Sequence, residues 1–224
     1  MPARGESAPP TPQRMVPSPP FPRGLYAISD GPRADLVAAC TAALEGGARV
    51  LQYRDKTTDA ARRLDEARAL RALCTAHGVP LIVNDDIELA AAAGADGVHL
   101  GEDDPDPADA RARLGARAII GVSCYDSLDR ARRFGAAGAD YLAFGAFFPS
   151  PTKPHARVAT TALLRAAKAF GKPLVAIGGI THDNAPILID AGADALAVMS
   201  ALFGARDVRA AARRFSDLFG AGPR

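Results

Sequence analysis

Polar residues suited to phosphate and metal binding follow several short apolar runs along this sequence. Gln52-Tyr53-Arg54-Asp55-Lys56 comes first, and Asn84-Asp85-Asp86 and Gly101-Glu102-Asp103-Asp104 follow the next runs. Pro149-Ser150-Pro151-Thr152-Lys153 and Gly178-Gly179 come further along. If the runs are neighbouring parallel strands, cations, carboxylates, hydroxyl groups and a glycine pair meet at one edge of a sheet. This set of groups predicts a site for Mg²⁺, a pyrophosphate and a second phosphate.

The end of the second apolar run carries two cations. Alternation along a strand places Gln52, Arg54 and Lys56 on one side. There Arg54 offers a planar fork and Lys56 a point charge to one anion. The alternative is a charged loop in solvent. Gln52 favours the site, because an amide inside an apolar strand needs a hydrogen-bond partner.

Acidic residues end the next two runs. Asp86 is predicted to cap the following helix, which leaves Asn84 and Asp85 at the strand tip. Asp103 and Asp104 follow the fourth run. Carboxylates on adjacent strand tips repel unless a cation neutralises them, and Mg²⁺ is typically held by one or two carboxylates together with substrate phosphates. The alternative is an acidic helix start, which is equally compatible with these residues.

The loop after the sixth run is about fifteen residues long, and loops of that length are usually functional or disordered. Its hydroxyl groups and lysine, on a backbone stiffened by proline, predict a phosphate-binding loop. Gly178-Gly179 ends the seventh run and Met199-Ser200 ends the eighth. In a barrel, these are the positions that favour phosphates.

The elements that must position these residues alternate between strand and helix patterns. A helical stripe over 59–77, formed by Leu64, Ala67, Leu70 and Cys74, is one example. The pattern predicts an α/β fold, a single (β/α)₈ TIM barrel, with an open doubly wound sheet as the alternative. The predicted strands are Leu25–Ile28, Val50–Tyr53, Leu81–Val83, Gly97–Leu100, Ile119–Val122, Tyr141–Phe144, Leu174–Ile177 and Ala195–Val198.

An internal repeat favours the closed barrel. Ala-Gly-Ala-Asp occurs at 93–96, 137–140 and 191–194, each time just before a predicted strand, and Gly-Gly-Ala-Arg occupies 46–49. Each glycine is predicted to end a helix in the left-handed conformation. The repeat follows every second strand–helix unit, which suggests paired units arranged around a ring.

Composition excludes several classes of function. The chain has 224 residues, of which 48% are hydrophobic, and a net charge of +2. It lacks a basic stripe with interleaved aromatic residues, so we expect no nucleic-acid partner. No apolar run reaches the roughly 18 residues that span a membrane. The three scattered cysteines predict neither a disulfide framework nor a zinc site, and they fit the cytoplasm.

The first 22 residues differ from the rest, because they contain eight of the eighteen prolines. Such a segment cannot form a helix or bury a core. We therefore predict a disordered proline-rich extension over 1–22 and a (β/α)₈ barrel catalytic domain over 23–220. Met15 as the true start is left open, as is a homo-oligomeric state.

The motifs between Leu25 and Phe203 together resemble the thiamine-phosphate synthase family. They are Gln-x-Arg-x-Lys at 52–56, Val-Asn-Asp at 83–85, Gly-Val-His-Leu-Gly-x-x-Asp at 97–104, Gly-Val-Ser at 121–123, Pro-x-x-Thr-Lys at 149–153 and Ile-Gly-Gly-Ile at 177–180. The resemblance implies a transferase that joins hydroxymethylpyrimidine diphosphate to a thiazole phosphate. It also implies release of pyrophosphate and Mg²⁺ as cofactor.

The resemblance also implies a role for each matching residue. Arg54, Lys56, Ser123 and Lys153 would be catalytic. Asp85 and Asp104 would bind Mg²⁺, with Asp103 the alternative to Asp104. The pyrimidine diphosphate would be bound by Gln52, Tyr53, Arg54, Asp55, Lys56, Asn84, Ser123 and Lys153. The thiazole phosphate would be bound by Ser150, Pro151, Thr152, Gly179, Met199 and Ser200.

The reaction that the resemblance implies needs positioning and charge stabilisation rather than a protein nucleophile. An electron-rich aminopyrimidine can stabilise a methylene cation when the diphosphate departs, so we expect a dissociative reaction. A related barrel that isomerises thiazole phosphate, a phosphosugar epimerase and a non-catalytic phosphate-binding barrel are the alternatives. The set Arg54, Lys56, Asp85, Asp104 and Lys153 favours the synthase.

Overall fold

The structure is a computed structural model, and it describes residues 20–149 and 158–220. The strands β1–β8 are Gly24–Ile28, Val50–Tyr53, Leu81–Asn84, Gly97–Leu100, Ile119–Tyr125, Tyr141–Phe144, Leu174–Ile177 and Ala195–Val198. The helices α1–α9 are Leu36–Glu45, Ala60–His77, Ile87–Ala93, Pro107–Leu114, Leu128–Ala136, Thr161–Ala167, Ala185–Asp190, Ser200–Phe203 and Val208–Asp217.

The eight strands are parallel and close into one barrel in sequence order. Tyr26 of β1 pairs with Val50 of β2 on one side and with Ala197 of β8 on the other, which closes the ring. The prediction of a (β/α)₈ barrel is therefore confirmed, and the open sheet is excluded. Since all eight strands run the same way, the loops that follow them open on one rim.

Strand alternation divides the buried residues into two layers. In β1, Leu25 and Ala27 belong to the layer between strands and helices, while Tyr26 and Ile28 belong to the barrel interior. The helices cover the outer layer with the apolar stripes read from the sequence. Helix α2, for example, buries Ala67, Leu70 and Cys74, which confirms the predicted stripe.

The repeated Ala-Gly-Ala-Asp motif fastens the end of the barrel opposite the rim. Asp96, Asp140 and Asp194 each accept a hydrogen bond from the backbone N–H of the first or second residue of the preceding strand, at 2.7–2.9 Å. Arg71 and Arg111 form ion pairs with the first two of these carboxylates, at 2.9 and 2.6 Å. The motif therefore joins consecutive strands in pairs.

A residue of the predicted extension over 1–22 packs inside the barrel. Phe21 is buried among interior residues, and its ring stacks on Tyr141 with centroids 4.1 Å apart. The sequence assigned Phe21 to the extension because prolines surround it, but its side chain packs with Tyr26 and Tyr141 in the barrel interior. Residues 1–19 lie outside the described residues.

Within the described ranges, no helix combines the length and the apolar character that crossing a membrane requires.

Candidate active site

Predicted site residues from four neighbouring strands meet at the rim. The Lys56 ammonium, after β2, donates a hydrogen bond to the Asp85 carboxylate, after β3. Asp85 in turn contacts Asp104, after β4. Ser123 of β5 is hydrogen-bonded to His99 of β4 at 2.9 Å. The strand tips therefore bring together one lysine, two carboxylates and one hydroxyl group.

The two carboxylates point toward the same small space. A methyl group placed on Gly101 would lie 3.1 Å from Asp104 Oδ2 and 3.8 Å from both Asp85 Oδ1 and the Tyr125 hydroxyl. The backbone of Asp85 is left-handed, with φ of 63°, a conformation that aspartate tolerates better than most residues. Glycine at 101 and an unusual backbone at 85 thus allow the oxygens to converge.

The electrostatics of the pair fit a divalent cation. Burial raises the pKa of the Asp104 carboxyl, the N–H of Gly101 at 2.5 Å lowers it, and the nearby Asp85 raises it further. The net shift is upward, so a negative charge on Asp104 beside that of Asp85 is unfavourable without a cation. Asp103 is exposed and Asp104 is half-buried, which favours Asp104 as the ligand. Among the residues described, no three His, Cys, Asp or Glu side chains cluster, so Mg²⁺ would need substrate oxygens as well.

Asp86 is the helix cap that the sequence predicted. Its Oδ1 accepts a hydrogen bond from Leu89 N at 2.9 Å, and its Oδ2 pairs with Arg63 at 3.0 Å. These contacts occupy its carboxylate, so Asp85 alone of this acidic pair faces the site.

A chain of hydrogen bonds crosses the barrel interior and joins Gln52 to Ser123. Gln52 Nε2 lies 2.7 Å from the Tyr26 hydroxyl, which lies 2.8 Å from the Tyr141 hydroxyl. The Tyr141 hydroxyl lies 2.9 Å from His99 Nδ1, and His99 Nε2 contacts Ser123 Oγ. The buried Gln52 therefore has the partner that its place in an apolar strand required.

One order of donors gives every contact of this chain a donor and an acceptor, and it begins at Gln52. With the Nε2 group donating to Tyr26, that hydroxyl donates to Tyr141, which donates to His99 Nδ1. His99 then carries its proton on Nε2 and donates to Ser123 Oγ. Burial lowers the pKa of His99 to about 4, so the ring is neutral, as this order requires. Among the described residues, this order leaves the Ser123 hydroxyl hydrogen and the Gln52 carbonyl oxygen without a partner.

Two residues predicted to bind substrate direct their side chains toward α2 instead. The Tyr53 hydroxyl donates to Glu66 Oε2 at 2.6 Å. The Asp55 carboxylate is fully buried, 2.8 Å from the Arg62 guanidinium. Arg62 also donates to Glu66 and Thr57, so these residues form one network that fixes the loop after β2. The sequence did not identify Arg62, because nothing in its spacing distinguishes it from the other arginines of α2.

The remaining rim residues of β2 and β3 keep their polar ends available. Within the described ranges, the Arg54 guanidinium has no hydrogen-bond or ion-pair partner, and Arg54 N donates to the buried Ser29 hydroxyl at 2.8 Å. Asn84 ends β3 half-buried, in register with His99. Both residues therefore lie at the rim beside Lys56.

The predicted thiazole-phosphate residues of β7 and β8 also lie at the rim. Gly179, with φ of 62°, approaches the loop after β6 so closely that a Cβ would meet Phe148 O at 2.5 Å. Ser200 is the first residue of α8, where backbone N–H groups lack partners within the helix. Met199 precedes it. The other predicted members, Ser150, Pro151 and Thr152, lie outside the described residues, as does Lys153, which was predicted to bind the pyrimidine diphosphate. The roles of all four stay predictions.

The sequence missed Tyr26 and Tyr141, because tyrosines in strands usually signal packing alone. His99 was left without a catalytic role, and its burial and two hydrogen bonds agree with that interpretation. Cys124 is also buried, which raises the pKa of its thiol to about 12, so it offers no thiolate at neutral pH.

Comparisons with known proteins agree with this geometry. The family described as TMP-TENI, thiamine monophosphate synthase, matches residues 25–202. A thiamine-phosphate synthase from Chromobacterium violaceum is 58% identical over 205 residues, covering 91% of this chain and 99% of the relative. One from Thiobacillus denitrificans is 57% identical, covering 91% and 98%.

A solved structure supports the same assignment. Thiamine phosphate pyrophosphorylase from Pyrococcus furiosus superimposes with a TM-score of 0.79 at 36% identity, covering 87% of this chain and 94% of that one. The family match spans all eight strands and the rim residues described above. The chain therefore belongs to the thiamine monophosphate synthase family, whose members are transferases.

Proposed function

We propose that this protein is a thiamine-phosphate synthase that joins 4-amino-2-methyl-5-hydroxymethylpyrimidine diphosphate to 4-methyl-5-(2-phosphoethyl)thiazole. The products are thiamine phosphate and pyrophosphate. The observation that carries the proposal is the contact between Asp85 and Asp104 beside Lys56. Two carboxylates and a cation at one rim suit a metal-bound diphosphate, and neither an isomerase nor a simple phosphate-binding barrel needs them.

Ser123 and Gln52 would bind the two ends of the pyrimidine substrate. The free Gln52 carbonyl oxygen can accept from the exocyclic amino group, which orients the ring. The free Ser123 hydroxyl hydrogen can donate to a diphosphate oxygen. Because one chain of hydrogen bonds fixes both groups, ring and diphosphate would be oriented together.

Asp85 and Asp104 would hold Mg²⁺, and the ion would supply charge neutralisation for the departing pyrophosphate. Lys56 pairs with Asp85 in the structure. With Mg²⁺ held by the two carboxylates, the Lys56 ammonium group would be free to bind a diphosphate oxygen. Arg54 and Asn84, at the same rim, would bind other oxygens of that group, as would Lys153 in the loop after β6.

The reaction would be dissociative, with departure of pyrophosphate before attack by the thiazole nitrogen. The described rim has no cysteine thiolate and no paired general acid and base, and this reaction needs neither. The residues act by stabilising the charge that develops on the leaving group. Met199, Ser200 and Gly179, with Ser150, Pro151 and Thr152, would hold the thiazole phosphate so that its nitrogen faces the methylene carbon.

A coupling assay tests the proposal. The purified protein is incubated with both substrates and Mg²⁺, and thiamine phosphate and pyrophosphate are quantified with and without chelator. We expect both products in equal amounts and none with chelator. Isomerisation of thiazole phosphate without coupling, or binding without turnover by folded protein, would overturn the proposal in favour of the other two functions.

A further inference from the structure

Arg130 connects two loops of the proposed site from a neighbouring helix. It lies in α5, and its Nε donates a hydrogen bond to the backbone oxygen of Ser123 at 2.7 Å. Its Nη2 donates to the backbone oxygen of Gly101 at 2.6 Å. One guanidinium thus bridges the C-terminal ends of β4 and β5.

This bridge stands where direct pairing of the two strands ends. The last registered pair of β4 and β5 is Leu100 with Val122. The next residues are Gly101 and Ser123, whose carbonyl groups both turn to Arg130. Beyond Ser123 the register of β5 with β6 shifts. Arg130 therefore continues the β4–β5 connection one step past the strand ladder.

The guanidinium is itself held in place by two aromatic rings. Its central carbon lies 4.6 Å from the centroid of the Phe134 ring and 5.7 Å from that of Tyr125. The side chain is half-buried. Cation–π contacts on a planar group restrict its orientation as well as its position, so the two carbonyl groups are held at a fixed separation.

Each bridged residue uses its other polar group in the proposed site. The Gly101 N–H donates to Asp104 Oδ2, and Ser123 Oγ contacts His99. We propose that Arg130 is a positioning residue that fixes the carboxylate of Asp104 relative to the hydroxyl of Ser123. The inference rests on the proposed function, since these two groups would bind the metal and the diphosphate of one substrate.

The expected consequence is selective for one substrate. A displacement of about 1 Å at a reacting site can cost on the order of 10²-fold in rate. Loss of Arg130 should therefore weaken the binding of Mg²⁺ and diphosphate. The thiazole-phosphate residues that follow β7 and β8 do not contact Arg130, so the KM for that substrate should stay the same.

The test compares Arg130→Met with Arg132→Met on the same helix. Arg132 is exposed, pairs with Asp129 and lies 5.8 Å from the centroid of the Phe170 ring. Neither partner is a residue of the proposed site, so Arg132 controls for the loss of a charge on α5. Calorimetry with inorganic pyrophosphate and Mg²⁺ measures binding without turnover. We expect Kd and the half-saturating Mg²⁺ concentration to rise about tenfold in Arg130→Met, with kcat/KM for the pyrimidine diphosphate falling by about ten- to a hundredfold. Arg132→Met should match the unchanged protein.

Rescue and stability complete the test. Arg130→Lys can donate to one carbonyl and should give intermediate constants. A lower Tm in Arg130→Met with unchanged pyrophosphate Kd and Mg²⁺ requirement would overturn the inference, because Arg130 would then be only structural. Arg130→Lys equal to the unchanged protein would overturn it if Arg130→Met does not fold. Failure of the unchanged protein to couple its substrates would instead overturn the proposed function.

Discussion

At the scale of single residues, the contact between Asp85 and Asp104 depends on what neutralises it. The net upward shift in the pKa of Asp104 means that burial and repulsion from Asp85 make its ionisation less favourable. A divalent cation would remove that repulsion. Because Mg²⁺ would bind the folded chain and not the unfolded one, it should raise the free energy of unfolding. Tighter binding of Mg²⁺ should give a larger increase.

This linkage predicts the effect of Mg²⁺ on thermal unfolding. With Mg²⁺ and pyrophosphate present at a hundred times Kd, the unchanged protein should gain about 2.7 kcal/mol. Asp85→Asn and Asp104→Asn should lose most of this gain, because each removes one anionic ligand. Asp103→Asn is the matched control and should retain it. Loss of the response in Asp103→Asn but not in Asp104→Asn would show that Asp103, and not Asp104, binds the metal.

A second residue-scale prediction concerns His99 and pH. Its pKa is about 4 in the folded protein, against an ordinary value of 6.5. As pH falls below 6.5, His99 is protonated in the unfolded chain but not in the folded one. The free energy of unfolding therefore falls until about pH 4. The linkage amounts to roughly 2 kcal/mol at pH 5. Urea unfolding at pH 7 and pH 5 measures it.

His99→Asn should remove this part of the pH dependence, since an amide does not titrate. His77→Asn, at an exposed position, should keep the pH dependence of the unchanged protein. Equal loss of stability between pH 7 and pH 5 in the unchanged protein and in His99→Asn would contradict the prediction.

At the scale of elements, the repeated Ala-Gly-Ala-Asp motif acts through its aspartate. This residue follows the end of a helix and accepts a hydrogen bond from the strand that precedes the helix. Asp140 precedes β6 but accepts the N–H of Ile120 in β5, and Arg111 pairs with it from α4. A single carboxylate therefore joins the starts of two strands to a helix. The repeat is visible in the sequence, but only the structure shows that its aspartate connects neighbouring strands.

Replacing Asp140 by alanine should destabilise the barrel. The change leaves a backbone N–H and a guanidinium without their charged partner, and hydrogen bonds of this kind contribute roughly 1.5–3 kcal/mol. Urea unfolding should report a loss of that order with KM values unchanged, because the motif lies at the end opposite the rim. Asp129→Ala, at a fully exposed ion pair, is the control. Equal stability of the two variants would show that the motif is dispensable.

The sequence predicted the elements well and their long-range contacts poorly. The eight strands were placed to within three residues, because apolar runs and glycine punctuation are local signals. The approach of Lys56, Asp85 and an acidic residue after β4 followed from parallel strand tips, whereas the choice of Asp104 over Asp103 came from the family resemblance. Asp55, in contrast, turns to Arg62, and Arg130 reaches back over two strands. Such contacts depend on the direction of long side chains in the closed fold, which no sequence spacing specifies.

At the scale of the whole molecule, one buried chain connects the interior to the rim. Phe21 stacks on Tyr141, whose hydroxyl leads through Tyr26 to Gln52 and through His99 to Ser123. The segment before β1 therefore supports the two residues proposed to orient the pyrimidine substrate. We therefore expect a barrel that lacks Phe21 to bind the pyrimidine substrate less well.

Two shortened chains test the role of this segment. A chain that begins at residue 20 keeps Phe21, whereas a chain that begins at residue 23 lacks it. Removing a buried phenylalanine side chain typically costs 3–5 kcal/mol. The shorter chain should lose stability of that order, and its KM for the pyrimidine diphosphate should rise, because Tyr141 loses the ring that holds it.

Phe21→Ala in the full chain should reproduce both effects, and the chain that begins at residue 20 should behave as the full chain does. The KM for thiazole phosphate serves as an internal control, since Gly179, Met199 and Ser200, its predicted residues within the described ranges, are not members of the buried hydrogen-bond chain. Urea unfolding and steady-state kinetics measure the two quantities separately. A stability loss without any change in the pyrimidine KM would show that Phe21 fills the barrel but does not position the site.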